Sequence, residues 1–362
     1  MSPGCEDATC NPPGPSFVLA DTRQMHCYED DSYMMSNCPG VPGEMSCEGP
    51  TNFCGQDAQY GWDTLHSNSS DRWMNDNADE PVVTDTVTGL VWQGCASGLN
   101  GSLCKNGTAK NMTWTDALDY CNALPSSWGG FDDWRLPDYF ELQSIIDAGR
   151  HTAAADPTAF PGMDMLEPWR EGFHYWSSTS TVNNASHAWL VNFDSGFVTE
   201  GDKAAVELAR CVHSGPSPMI GKESPRFNRT GGDQPVVEDR YTRLFWQGCA
   251  RDQNGSTCAG TSTTHTWVEA LAYCESLTWG AQSKSSWRLP NRAELASIVD
   301  VRNCCPSIDP DSFPGTPSGG FWSSTTIEAN RPNAWVVYFG DGRINDNDKT
   351  SGKFYVRCVI DP

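Results

Sequence analysis

PVVTDTVTGLVWQGCASGLNGSLC, residues 81–104, is answered at 235–258 by PVVEDRYTRLFWQGCARDQNGSTC. The correspondence does not stop there. TWTDALDYC (113–121) matches TWVEALAYC (266–274), and DDWRLPDYFELQSIID (132–147) matches SSWRLPNRAELASIVD (285–300). Further on, AFPG pairs with SFPG, YWSSTS with FWSSTT, AWLVNFDSG with AWVVYFGDG, and ARCV with VRCV. Cys95, Cys104, Cys121 and Cys211 fall on Cys249, Cys258, Cys274 and Cys358, while the offset slips only from 154 to 147. Self-similarity of this kind defines an internal duplication. It divides the chain into a cysteine-rich segment (1–80), a first repeat (81–214), a linker (215–234) and a second repeat (235–362). The linker, SGPSPMIGKESPRFNRTGGD, is assigned from its Pro, Gly and Ser content.

Within each copy the local signals place the same elements. Thr113 with Asp116, and Thr266 with Glu269, have the spacing of a helix N-terminus, and the helices are expected to end near Leu124 and Leu277. Asp138 with Glu141 and Asn291 with Glu294 repeat that spacing directly after Pro137 and Pro290, and Leu142, Ile145 and Ile146 supply an apolar stripe. Aromatic and β-branched runs then predict strands, with Asp194-Ser195-Gly196 and Gly340-Asp341-Gly342 as hairpin turns. The expected domain is α+β, two helices followed by a small antiparallel sheet.

Sixteen cysteines in a chain of 362 residues point to an oxidising compartment. Zinc is disfavoured, since no C-x2-C pair and no H-x3-H spacing occur. Matched positions in the two copies predict the bonds Cys95–Cys104, Cys121–Cys211, Cys249–Cys258 and Cys274–Cys358. Cys304 and Cys305 have no counterpart in the first copy, and either a bond between them or separate partners fits the sequence. The six cysteines of the N-terminal segment allow 15 pairings.

Formal charge is −22, and residues 1–80 contribute 14 acidic side chains against Arg23 and Arg72. Such a field repels phosphate backbones and excludes nucleic acid as the natural partner. No apolar run approaches the roughly 20 residues that cross a bilayer. The opening MSPGCEDATC lacks a basic stretch followed by an apolar one, so the sequence reads as a chain without its export signal. N-x-S/T sequons occur at Asn68, Asn100, Asn106, Asn111, Asn184, Asn228 and Asn254, and make the chain a glycoprotein candidate.

Six ordered motifs, W-Q-G-C, W-x-x-A-L-x-Y-C, W-R-L-P-x-x-x-E-L, F-P-G, W-S-S-T and R-C-V, each present twice, resemble the Lcl C-terminal domain family. Gly55-Gln56-Asp57-Ala58-Gln59-Tyr60 is similar to a stretch that often precedes such domains. The resemblance implies a fold related to C-type-lectin-like and formylglycine-generating-enzyme domains, and roles in bacterial surface attachment. It brings no catalytic set. The namesake adhesin is trimeric and associated with sulfated glycosaminoglycans, which suits an acidic chain poorly.

These readings lead to an extracellular or cell-surface, non-enzymatic, adhesin-like protein that binds a carbohydrate or a surface protein, two copies giving avidity. The alternative is a structural subunit of an extracellular filament or coat, whose partners are copies of itself in a homo-oligomer. A formylglycine-generating-enzyme-like oxidase is more remote. Candidate ligand-binding residues lie on the late hairpins and loops: Asp194, Lys203, Asp341, Asn345 and Lys349. No cofactor is expected, unless Asp341, Asp346 and Asp348, with neighbouring amides, hold calcium through oxygen ligands. W-R-L-P is expected to serve the fold, with tryptophan buried and arginine paired to Glu141 or Glu294.

Overall fold

The computed structural model describes residues 22, 27–28, 35–36, 56–57, 72–76, 78–150, 153–163, 174–213, 225–280 and 287–361. The pairings of the six N-terminal cysteines and the sequon at Asn68 lie outside them. Near the N-terminus, β1 (Cys27–Tyr28) and β2 (Met35–Ser36) form a short antiparallel ladder.

The first repeat runs through β3 (Trp73–Asn75), β4 (Val82–Asp85), β5 (Val91–Gln93), β6 (Leu99–Asn100) and β7 (Asn106–Gly107). It continues with α1 (Trp114–Asn122), β8 (Trp134–Arg135), α2 (Tyr139–Ser144), β9 (His174–Ser180), β10 (His187–Asn192), β11 (Val198–Asp202) and β12 (Val212–His213). The second repeat begins with β13 (Phe227–Arg229), β14 (Val236–Asp239) and β15 (Phe245–Gln247). Then follow α3 (Trp267–Ser276), α4 (Arg292–Ser297), β16 (Gly320–Thr326), β17 (Asn333–Tyr338), β18 (Ile344–Asp348) and β19 (Val359–Ile360).

Side-chain caps start the helices. Thr113 and Thr266 accept from the backbone N–H groups of Asp116 and Glu269, and Asp138 and Asn291 close reciprocal capping boxes with Glu141 and Glu294. The same glutamates take the W-R-L-P arginines. Arg135 reaches Glu141 through two bonds of 2.7 and 2.6 Å, and Arg288 reaches Glu294 through two of the same lengths. Trp134 and Trp287 are buried. One carboxylate therefore fixes both the helix start and the preceding strand.

Four disulfides join the expected pairs: Cys95–Cys104, Cys121–Cys211, Cys249–Cys258 and Cys274–Cys358. Cys121–Cys211 closes a loop of 90 residues, worth on the order of 4 kcal/mol as a constraint on the unfolded chain. Cys304 bonds Cys305.

Three sequence expectations need correction. Phe227–Arg229, read as linker, pairs as β13 with β14, and Trp73–Asn75, read as part of the N-terminal segment, pairs in the same way as β3 with β4. In both copies an arginine just before this strand grips the aspartate ending the next: Arg72 with Asp85 at 2.8 Å, and Arg226 with Asp239 at 2.5 Å. Secondly, the terminal strands leave the late hairpins. Val212 of β12 pairs with Trp92 and Arg135, while β19 pairs with β15.

The third correction is the largest. In place of two separate small sheets there is one six-stranded antiparallel sheet, ordered β16-β17-β18-β11-β10-β9, in which β11 of the first repeat pairs with β18 of the second at Val198 and Ile344. Those two residues occupy equivalent positions, so the seam lies on a local pseudo-twofold axis. Alternation along the strands fills a core on each face. Trp189 and Val191, with Trp335 and Val337, enter a core shared by both repeats. Ala188 and Leu190 enter a core of the first repeat alone, and Ala334 and Val336 one of the second alone. The repeats are halves of one body.

The N-terminal segment touches both halves. Thr22 accepts from the N–H of Ala148 at 2.9 Å and donates to Asp57 at 2.5 Å, and the same Asp57 oxygen accepts from Thr325 of the second repeat at 2.6 Å.

Candidate functional site

The two hairpins that meet at the seam leave a groove of about 460 Å³, within the size range of small-ligand sites. Its lining comes from both copies at matched positions. Asn192 and its counterpart Tyr338 both line it, as do Thr199 and its counterpart Asn345. Phe197 corresponds to Arg343, and beneath lies the strand pair Val198 and Ile344, whose side chains are buried in the core shared by both repeats. His174, at the start of β9, completes one side. This buried pair is apolar in both copies, whereas the residues around it differ between copies.

Local bonds hold these groups in place. Asn192 Oδ1 accepts from the N–H groups of Asp194 and Ser195 at 2.8 and 3.1 Å, closing the turn, and Asn192 Nδ2 lies 3.3 Å from His174 Nε2. Burial lowers the His174 pKa, which keeps its ring neutral near pH 7. Arg343 donates through Nε to Asp341 at 2.7 Å, and this bond holds its pKa above the usual value. Burial raises the Tyr338 pKa, with Asp346 adding to the effect, so its hydroxyl stays protonated. Phe197 meets Trp335 edge-on with ring centroids 5.4 Å apart.

Of the candidates drawn from sequence, Asn345 lines this groove, and Asp194 and Asp341 belong to the hairpins that frame it. Lys203 and Lys349 do not. They follow the far ends of β11 and β18 and make matched local bonds, Lys349 buried and Lys203 partly exposed. Lys203 Nζ donates to Ser180 Oγ and the Ala185 carbonyl and lies 4.1 Å from the Trp114 ring centre. Lys349 Nζ donates to Thr326 Oγ1 and the Arg331 carbonyl and lies 4.4 Å from the Trp267 ring centre. Lys349 is 0% exposed, and burial pushes its pKa down to about 7. A buried lysine offers nothing to a ligand at the surface.

The carboxylates expected to hold calcium are engaged in local bonds. Asp341 is engaged by Arg343, and Asp346 Oδ2 accepts from Asn333 Nδ2 at 2.8 Å. Asp348 Oδ1 closes a turn by accepting from the backbone and hydroxyl groups of Thr350 and Ser351. Those bonds push the Asp348 carboxyl down to about 2. Among the described residues no group of three or more His, Cys, Asp or Glu is placed to hold a metal ion.

His174, Asn192, Phe197, Thr199, Tyr338 and Arg343 were missed from sequence. The signal that could have found them is divergence between copies inside matched strands, as at the fifth residue of AWLVNF and AWVVYF. All six described sequon asparagines are exposed.

Fold and site together define a disulfide-closed internal duplication of sheet-rich units whose groove is built by both halves. The family described as the Lcl C-terminal domain matches residues 81–213 and 235–360, and the chain belongs to that family. No curated protein matches the chain at a significant level. Among the described residues no helix is long and apolar enough to cross a membrane.

Proposed function

We propose that the chain is an extracellular or cell-surface binding protein, non-enzymatic and adhesin-like, which holds a carbohydrate or a surface protein in the seam groove. One observation carries this reading: equivalent residues of the two halves converge on one groove, and those around the buried Val198–Ile344 pair diverge in chemistry between the copies. A fold-preserving role accounts for Val198 and Ile344, while Thr199 and Asn345 place different uncharged polar groups at matched positions of the lining. The disulfides support an oxidising compartment. The lectin-like relationship implied by the family agrees with a binding role for loops and hairpins held on a rigid frame.

Because the halves share a core, recognition belongs to one composite site, and avidity between tethered modules is not needed. The test is attachment of labelled full-length protein to intact cells and shed matrix from its source. Asn345→Arg places a long charged side chain on the exposed groove rim and should abolish attachment without changing the melting temperature. Unchanged attachment by this variant contradicts the proposal. Regular fibres of the purified protein in negative stain, unaltered by Asn345→Arg, would support the structural-subunit alternative.

A further inference from the structure

We infer that the seam groove takes a short neutral saccharide. This deepens the reading of the groove as the recognition site and rests on it. Thr199, Asn345 and Tyr338 present hydroxyl and amide groups that both donate and accept hydrogen bonds without carrying charge. Sugar hydroxyls need that mixture, because each is donor and acceptor at once. The rings of Tyr338 and Phe197 add flat apolar surface with electron-rich faces, suited to the C–H side of a pyranose ring.

Charge decides against the acidic sugars. The one guanidinium in the lining, Arg343, is bonded to Asp341 at 2.7 Å and also feels Glu200. Asp346 also acts on Tyr338. His174 is kept neutral by burial and lies 3.9 Å from Glu207. A sulfate or carboxylate entering the groove would lose water and find the lining's one guanidinium already paired with Asp341. Elsewhere, Arg210, Arg288 and Arg357 are buried in the two halves, so they add no basic surface around the opening.

The full chain, applied to a glycan array, decides the matter if the array carries neutral hexose and N-acetylhexosamine oligosaccharides beside sialylated and sulfated ones, heparin included. The strongest neutral binder is then titrated by calorimetry against wild type, Asn345→Ala, Tyr338→Ala and Tyr338→Phe, with melting curves for each. Neutral glycans should bind, Asn345→Ala should weaken binding about tenfold, and Tyr338→Ala should weaken it further. Tyr338→Phe, which keeps the ring, should retain more affinity than Tyr338→Ala. Binding confined to charged glycans overturns the inference, as does neutral binding indifferent to Asn345→Ala in folded protein. If no glycan binds while Asn345→Arg still abolishes attachment to cells, the saccharide inference fails and the groove remains a recognition site. If attachment survives Asn345→Arg, the broader reading fails with it.

Discussion

The hydroxyl of Tyr139 donates to the carbonyl of Gly342 at 2.6 Å, across a sequence separation of 203 residues. Its counterpart in the second half is Arg292, whose Nη2 donates to the carbonyl of Gly196 at 2.8 Å. Each half thus reaches from its second helix into the hairpin turn of the other. The two turn glycines are held by their backbones and by packing. Gly196 has φ +83° and a side chain there would begin 3.2 Å from Trp335, while Gly342 has φ +95° and faces Trp189 at the same distance.

Gly196→Ala and Gly342→Ala should each destabilise the protein by more than about 1 kcal/mol, since a left-handed backbone and a crowded ring both oppose the added carbon. Tyr139→Phe should cost about 1 to 2 kcal/mol by leaving the Gly342 carbonyl without its donor. Denaturant unfolding checks all three. A wild-type midpoint for Gly342→Ala would show that the turn packs less closely than described.

Docking of the N-terminal segment should respond to pH. Asp57 is buried and accepts from two threonine hydroxyls, with Glu294 and Arg288 as the charged groups acting on it; burial raises its pKa from 3.8 to about 6. A carboxyl with a raised pKa binds its proton more tightly when docked, so its contribution is fully present below about pH 4 and is lost as pH rises through 6. Hydrogen exchange at the Ala148 N–H, which bonds Thr22, should therefore be better protected at pH 5 than at pH 7.5 after correction for intrinsic rates. Asp57→Asn should flatten that difference. The opposite order of protection would contradict the assignment.

Disulfide reactivity should follow exposure. The Cys95–Cys104, Cys121–Cys211, Cys249–Cys258 and Cys274–Cys358 sulfurs are buried, whereas Cys304 and Cys305 are exposed. An attacking thiolate needs access, so brief treatment of folded protein with a mild thiol should label Cys304 and Cys305 ahead of those eight. Alkylation followed by peptide mapping gives the order. Earlier labelling of Cys121 would mean that the first half opens readily.

Much of the local structure was legible in the sequence, because it depends on neighbours in the chain. The Thr113–Asp116 and Asp138–Glu141 spacings give helix starts whatever surrounds them, and duplication of the cysteines identified their pairs. The seam was not legible, because a period of two in VTEGD or INDND says which residues turn inward and nothing about which strand lies alongside. Phe227–Arg229 escaped because three residues are too few to show alternation beside a Pro-Gly-rich stretch. Burial of Lys349 was not legible for a different reason: lysine is almost never fully buried, and the Trp267 ring and the oxygen acceptors around its ammonium come from distant parts of the chain. The groove required both halves before any of its residues could be grouped.

Differential scanning calorimetry of the oxidised full-length chain, wild type beside Trp287→Ala, tests the central claim that the repeats form one body. Trp287 is buried in the core belonging to the second half alone, and its truncation should cost about 3 to 5 kcal/mol. If β11 and β18 join the halves around a shared core, wild type melts in one transition and the substitution shifts that whole transition downward. Two transitions, with the first half still melting at the wild-type temperature in Trp287→Ala, would show that the repeats are independent and that the seam groove is not a fixed feature of the fold.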